Sequence, residues 1–118
     1  MHNIVMKALH IFGTALSLLL VMSGANAAYK DTSNVKIHFI SAWASDGGVL
    51  VQTNPQHSID GLGCESAYWL KLSADQAGYN TVIAMLLSAH VTQMPVTVRA
   101  VDDQGTDFCR LERVILTQ

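Results

Sequence analysis

Apolar and polar residues alternate along this chain in three distinct ways, and each predicts a different element. Ile11 to Met22 is an apolar run broken by Gly13, Thr14 and Ser17. Beyond it, Ala28–Asn34 is polar and predicts a loose N-terminal arm. Val35-Lys36-Ile37-His38-Phe39 then alternates with period two, as a half-buried strand does. Ser45-Asp46-Gly47-Gly48 is a turn cluster, and Val49-Leu50-Val51-Gln52-Thr53 is a second β-rich run, so the two runs predict a hairpin turning at Asp46-Gly47. Asn54 to Gly63 carries Pro, Gly and polar residues and reads as a loop. Ala67 to Leu72 predicts a third strand, with Tyr68, Leu70 and Leu72 on one face and Trp69 and Lys71 on the other.

The period then changes. Ser73-Ala74-Asp75-Gln76 has the form of a capping box, in which hydroxyl and amide side chains satisfy free N–H groups at a helix start. Tyr79, Val82, Ile83, Leu86 and His90 follow at helical spacing, predicting an amphipathic helix over about 74–92 that Pro95 stops. Met85, Leu87 and Val91 lie off that stripe. Val96 to Val101 predicts a fourth strand, Asp102-Asp103-Gln104-Gly105 a turn, and Cys109 to Thr117 a fifth strand. The order β-β-β-α-β-β defines a mostly β (β+α) class. It is the layout of an OB-fold, a five-stranded Greek-key barrel; an α+β sheet with one packed helix shares the same order.

The first run changes how composition is read. Lys7 before it and Ala25-Asn26-Ala27 after it give residues 1–27 the form of a cleaved signal peptide. The run is shorter than the roughly 20 apolar residues a spanning helix needs, and no cysteine follows it for a lipid anchor. The expected product is a single secreted or periplasmic domain, residues 28–118, with no membrane span. Its charge, from six basic and nine acidic residues, is 6 − 9 = −3 with His neutral. Nucleic acid, which needs a basic surface, is excluded as a partner on that ground. In an oxidising compartment the two cysteines, Cys64 and Cys109, are expected to form a disulfide, which suits a domain this small.

Catalytic chemistry has little support. His38, His57 and His90 are dispersed over a strand, a loop and a helix with no metal-ligand spacing, so no metal or cofactor is expected. No G-x-S-x-G surrounds Ser41, Ser45, Ser58 or Ser66, and nothing singles out a carboxylate pair from Asp46, Asp60 and Asp102. The expectation is a protein that is not an enzyme. Surface apolarity is more suggestive. Trp43 and Trp69 fall where a half-buried sheet places polar residues, and Leu111, Val114, Ile115 and Leu116 put apolar groups on both faces of the last strand. Either the barrel curls enough to bury both faces or part of this apolar surface is an interface.

Leader, length, strand order, single helix and charge together make the chain similar to the B subunits of AB5-type bacterial toxins, in the subtilase cytotoxin and typhoid toxin branch. Ile37-His38-Phe39-Ile40-Ser41-Ala42-Trp43-Ala44-Ser45, then Val49-Leu50, overlays that branch's first hairpin, and Ser45 falls at its glycan-contacting serine. Unlike that branch, this chain has no cysteine in its second strand. The resemblance implies an OB-fold, a homo-oligomer (a pentamer if toxin-like), a separate A subunit as partner, and a sialylated cell-surface glycan as ligand at Ser45; beside it Trp43 offers an aromatic face on which a sugar can stack. A monomeric periplasmic or secreted accessory protein or inhibitor without sugar binding is the other expectation the sequence supports.

Overall fold

The computed structural model describes residues 27–103 and 107–117. All of the expected leader but Ala27 lies outside the described residues, as do Gln104 and Gly105 of the expected turn. The described chain forms β1 (Ala28–Ala42), β2 (Val49–Asn54), β3 (Ser66–Leu72), α1 (Tyr79–Thr92), β4 (Val96–Asp102) and β5 (Phe108–Leu116). The strands close into a barrel in the order β1-β2-β3-β5-β4. With the helix between β3 and β4, this is the expected OB-like β+α architecture. All pairings are antiparallel except β3 with β5.

Barrel closure depends on β1, which is much longer than its alternating run. Its first half, Ala28 to Val35, pairs with β4, and its second half, Lys36 to Ala42, pairs with β2. The expected loose arm is therefore strand. Its polar composition hid it because this half turns no large apolar side chain into the core before Val35. It is held instead by backbone pairing and cross-strand contacts on the outer face. Arg99 lies 4.1 Å over the Tyr29 ring and forms a bidentate pair with Asp31 at 2.8 and 3.1 Å; Thr97 bonds Ser33 at 3.0 Å. Between the halves the register shifts, and Asn34 adopts a left-handed conformation at φ 60°. Asn tolerates that region better than most residues, and such an irregularity bends a strand.

A second irregularity changes which residues face outward. Ile37 pairs with Thr53 and Phe39 with Gln52, so His38 is an extra residue on β1. Strict alternation from Val35 and Ile37 would send Phe39 and Trp43 inward. With the bulge Val35 and Ile37 remain in the core, while Phe39 (52% exposed) and Trp43 (56%) lie on the surface. The far end of α1 secures this bulge: His90 Nδ1 lies 3.0 Å from the Ile37 carbonyl oxygen, and Gln93 Nε2 donates to the same oxygen at 3.3 Å. The Nδ1 contact requires the proton on that nitrogen.

β5 uses the same device. Arg99 pairs with Arg113 and Ala100 with Leu111, skipping Glu112, so Leu111 and Val114 both reach the core although three residues apart. Around them the core gathers Ile37, Val51, Leu70, Leu72, Val96 and Val98, with Leu86 and Ala89 of α1 packed on it. Tyr79, Val82, Ile83 and Met85 are half-buried beside them. Leu87 and Val91 (81%) stay exposed, so the barrel does not bury every apolar face. Tyr68, expected on the inner face with Leu70 and Leu72, is exposed as well. The β3–β5 register is irregular between Ser66 and Leu70, and the Ser66 hydroxyl accepts the Tyr68 and Trp69 N–H groups, which takes this end of β3 out of regular alternation.

The helix starts at Tyr79, later than the expected start at about 74. Gly78 stands at its N-cap with no side-chain hydrogen bond, and 74–78 form turns. Half of the capping-box pattern is present without a helix: the Ser73 N–H donates to Gln76 Oε1 at 2.8 Å. The disulfide joins Cys64, just ahead of β3, to Cys109 on β5, with Cα atoms 5.3 Å apart. It crosses the short parallel seam where Leu70 pairs with Cys109 and Lys71 with Arg110.

Candidate functional site

The β1–β2 turn and the 73–78 segment meet at one corner of the barrel. Trp43 N–H donates to the Gly48 carbonyl and Gly47 N–H to the Trp43 carbonyl, each at 2.8 Å, while Gly48 N–H donates to Asp46 Oδ1 at 2.8 Å. Gly47 has φ +74°, and a Cβ placed there would stand 3.3 Å from the Ala74 methyl, so the backbone conformation and the close approach both favour glycine. From the other side the Tyr79 hydroxyl donates to the Gly47 carbonyl at 2.5 Å. The turn is thereby fixed against the start of the helix.

Between these two segments lies an open groove of about 540 Å³, lined by Asp46, Gly48, Lys71, Ser73, Ala74 and Asp75. Three chain segments supply it. Lys71 comes from the outer face of β3, where the register sets it beside Leu50 of β2, and Leu50 beside Ser41 of β1. Trp43 is exposed just beyond the end of β1, where its N–H meets the Gly48 carbonyl. Ser45 is exposed within the turn. Neither expected ligand residue lines the groove: both belong to the turn that forms one of its walls. Among the described residues Lys71 forms no ion pair with either carboxylate. Three charged groups and a hydroxyl thus surround open space with hydrogen-bonding capacity to spare.

The site sequence reasoning missed is Lys71, Ser73 and Asp75. Ser73 and Asp75 were expected at a helix start, and Asp46 as a turn residue and as one of three carboxylates among which no pair stood out. A later helix start releases them to the groove. Gly78 was the available signal, since glycine is a weak helix residue and an acceptable N-cap.

Other clusters are already engaged. On the far side of the 73–78 segment, Arg110 bonds Asp103 at 2.6 to 3.1 Å and also Glu112, and it lines a second cleft of about 290 Å³ with Leu72 and Val82. Its hydrogen bonds to the Asp103 carboxylate are the main reason its guanidinium is held protonated above the usual range. A hydrogen bond from Arg99 holds the Asp31 carboxyl below its ordinary value.

The three histidines do not converge. His38 packs against Phe39 with ring centroids 4.3 Å apart, His90 holds the bulge, and His57 lies buried in the β2–β3 loop. Among the described residues no group of three or more His, Cys, Asp or Glu could hold a metal ion. His57 is 3% exposed and neither ring nitrogen has a hydrogen-bond partner among the described residues, and burial pushes its pKa below the ordinary 6.5. Its loop is tied by His57 N–H to Thr53 Oγ1 at 2.8 Å and by Ser58 N–H to Thr32 Oγ1 at 2.9 Å.

No helix among the described residues is long and apolar enough to cross a membrane, and the disulfide fits an oxidising compartment. Compared with protein-family models, with curated proteins and with solved structures, the chain matches none.

Proposed function

We propose that this domain is a secreted, non-catalytic binding module for saccharides, with its site at the groove beside the β1–β2 turn. The observation that carries this reading is the groove's lining. Two carboxylates, an ammonium group and a hydroxyl line open space, and the exposed Trp43 belongs to the turn that forms one wall. Saccharide sites combine an aromatic face, on which a sugar's C–H face can stack, with a few convergent polar groups that fix orientation. OB-folds in general also bind oligosaccharides through the β2–β3 face and the β1–β2 loop, an analogy at the level of fold. The likeness of the first hairpin to toxin B subunits points the same way, with Ser45 on the turn within reach of a ligand larger than one ring. Toxin-like assembly, into a homo-oligomer with an A subunit bound, is part of the same proposal. The exposed Leu87 and Val91, one helical turn apart on α1, would supply the subunit contact.

The test is a glycan array probed with the disulfide-bonded domain and with its Trp43→Ala and Ser45→Ala variants. Reproducible binding that Trp43→Ala abolishes and Ser45→Ala weakens supports the reading. Silence towards every saccharide rejects it.

A further inference from the structure

We infer that the loop between β2 and β3, residues 55–65, is an acid-opened cover on the barrel, with His57 as its trigger. The loop contains neither helix nor strand and packs Ile59 and Leu62, half-buried, against the core. Side chains of the barrel tie it down. Thr53 Oγ1 accepts the His57 N–H at 2.8 Å, Thr32 Oγ1 the Ser58 N–H at 2.9 Å, and Asp102 Oδ2 the Gly63 N–H at 2.5 Å. The Gln56 side chain donates to the Ala67 carbonyl at 2.7 Å. At its far end the loop is fixed by the Cys64–Cys109 disulfide, so opening is confined to the residues ahead of Cys64. The tip, Asp60-Gly61, is exposed.

Among these attachments sits a side chain that adds none. The His57 ring is 3% exposed, and neither nitrogen has a hydrogen-bond partner among the described residues. Such a ring is tolerated only while neutral, because an imidazolium there would bring a charge and two donors with no acceptor to meet them. Neighbouring charges do not offset this. Those on the elements around the loop are Lys30 and Lys36 on β1, Asp60 and Glu65 within the loop, and Asp102 at the end of β4; β3 carries Tyr68 and Lys71, and β2 carries no charge. None bonds the ring; Asp102 holds the Gly63 N–H, and Asp31 and Arg99 hold each other on the outer face. Burial lowers the His57 pKa below 6.5 in the closed loop, so the open loop takes up the proton. Closure is therefore fully favoured above pH 6.5 and weakens as the pH falls towards the folded value. Opening carries Ile59 and Leu62 towards water with His57, giving the domain an apolar surface in acid that it hides at neutral pH.

The test is residue-resolved amide exchange of the disulfide-bonded domain at pH 7.5 and pH 5, each rate taken relative to the intrinsic rate at that pH. Protection of the Ser58, Leu62 and Gly63 amides should fall on going to pH 5 by at least about threefold and at most about thirtyfold, the ceiling for uptake of one proton at an open-state pKa of 6.5. Val51 and Val98 in the barrel should keep theirs. His57→Leu should hold the change in the loop under about twofold; the ring makes no hydrogen bond, so this replacement leaves every tie of the loop in place. Thr32→Val, which takes away the Ser58 acceptor, should lower loop protection at both pH values and keep the acid effect. Loop protection that does not change with pH in wild type overturns the inference, and so does an equal fall in His57→Leu. An equal fall in loop and barrel amides, which is global unfolding, also overturns it, as does a Thr32→Val loop as well protected as wild type.

Discussion

Removing the Cys64–Cys109 bridge should cost the domain much of its stability, and the structure shows where the loss falls. The two residues are 45 apart in sequence, and closing a loop of that length in the unfolded chain corresponds to about 4 kcal/mol by the chain-entropy estimate. A fold of roughly 90 residues has an unfolding entropy near 190 cal/mol/K, so a loss of that size lowers Tm by roughly 20 °C. Net stabilities of domains are only about 5–15 kcal/mol. The cost should concentrate at the β3–β5 seam, where Ser66 pairs with Phe108, Leu70 with Cys109 and Lys71 with Arg110. The disulfide lies across that seam, and both cysteines are buried. The assay is thermal unfolding of Cys64→Ala/Cys109→Ala by circular dichroism, beside wild type with and without reductant, followed by amide exchange at fixed temperature. The expected outcome is a drop near 20 °C in the variant and in reduced wild type, with β3 and β5 amides losing protection first. A drop under about 5 °C, or uniform loss of protection, would refute the reasoning.

Three further outcomes follow from other contacts. The folded pKa of His57 lies below 6.5, so the unfolded chain binds the extra proton. Stability is then full above pH 6.5 and falls as the pH drops towards the folded value, by at most about 1.4 kcal/mol per pH unit. Urea unfolding of wild type and His57→Leu at pH 5 and 7.5 should show this dependence reduced in the variant, and an equal dependence in both would count against it. His90→Ala/Gln93→Ala removes both side-chain contacts to the bulge carbonyl of Ile37, at about 1–2 kcal/mol. The indole emission of Trp43, read in a Trp69→Phe background, should shift in that variant. Gly47→Ala strains a left-handed position against Ala74 and should cost about 1–2 kcal/mol, seen as a lowered urea midpoint.

How much of this was legible beforehand varies with the range of the forces involved. The second, fourth and fifth strands, the turn at Asp46-Gly47 and the amphipathic stripe of α1 follow from local periodicity and turn chemistry, and the structure has them. The first half of β1 does not announce itself. Its residues are exposed or half-exposed up to Asn34, so no alternation marks it, although Asn34 itself was a clue to a bend. The bulge at His38 is set by His90 and Gln93, 53 and 56 residues away from the carbonyl they hold, and no window along the chain contains both partners. Without it, Phe39 and Trp43 have the parity of core residues. Ser73 and Gln76 looked like a helix cap because their local hydrogen bond is the same in a turn. The groove was illegible for a related reason: Asp46, Lys71 and Asp75 come together through strand register and the docking of a turn, while the sequence marked only its neighbours Trp43 and Ser45.

The most direct check is a two-dimensional amide NMR titration of the folded domain with neutral and with sialylated oligosaccharides. Shift changes should gather on Gly47, Gly48, Lys71, Ser73 and Ala74 and on the Trp43 indole, leaving the Tyr29–Arg99 face untouched. An unchanged spectrum, or changes centred on that opposite face, would contradict a saccharide site at this corner of the barrel.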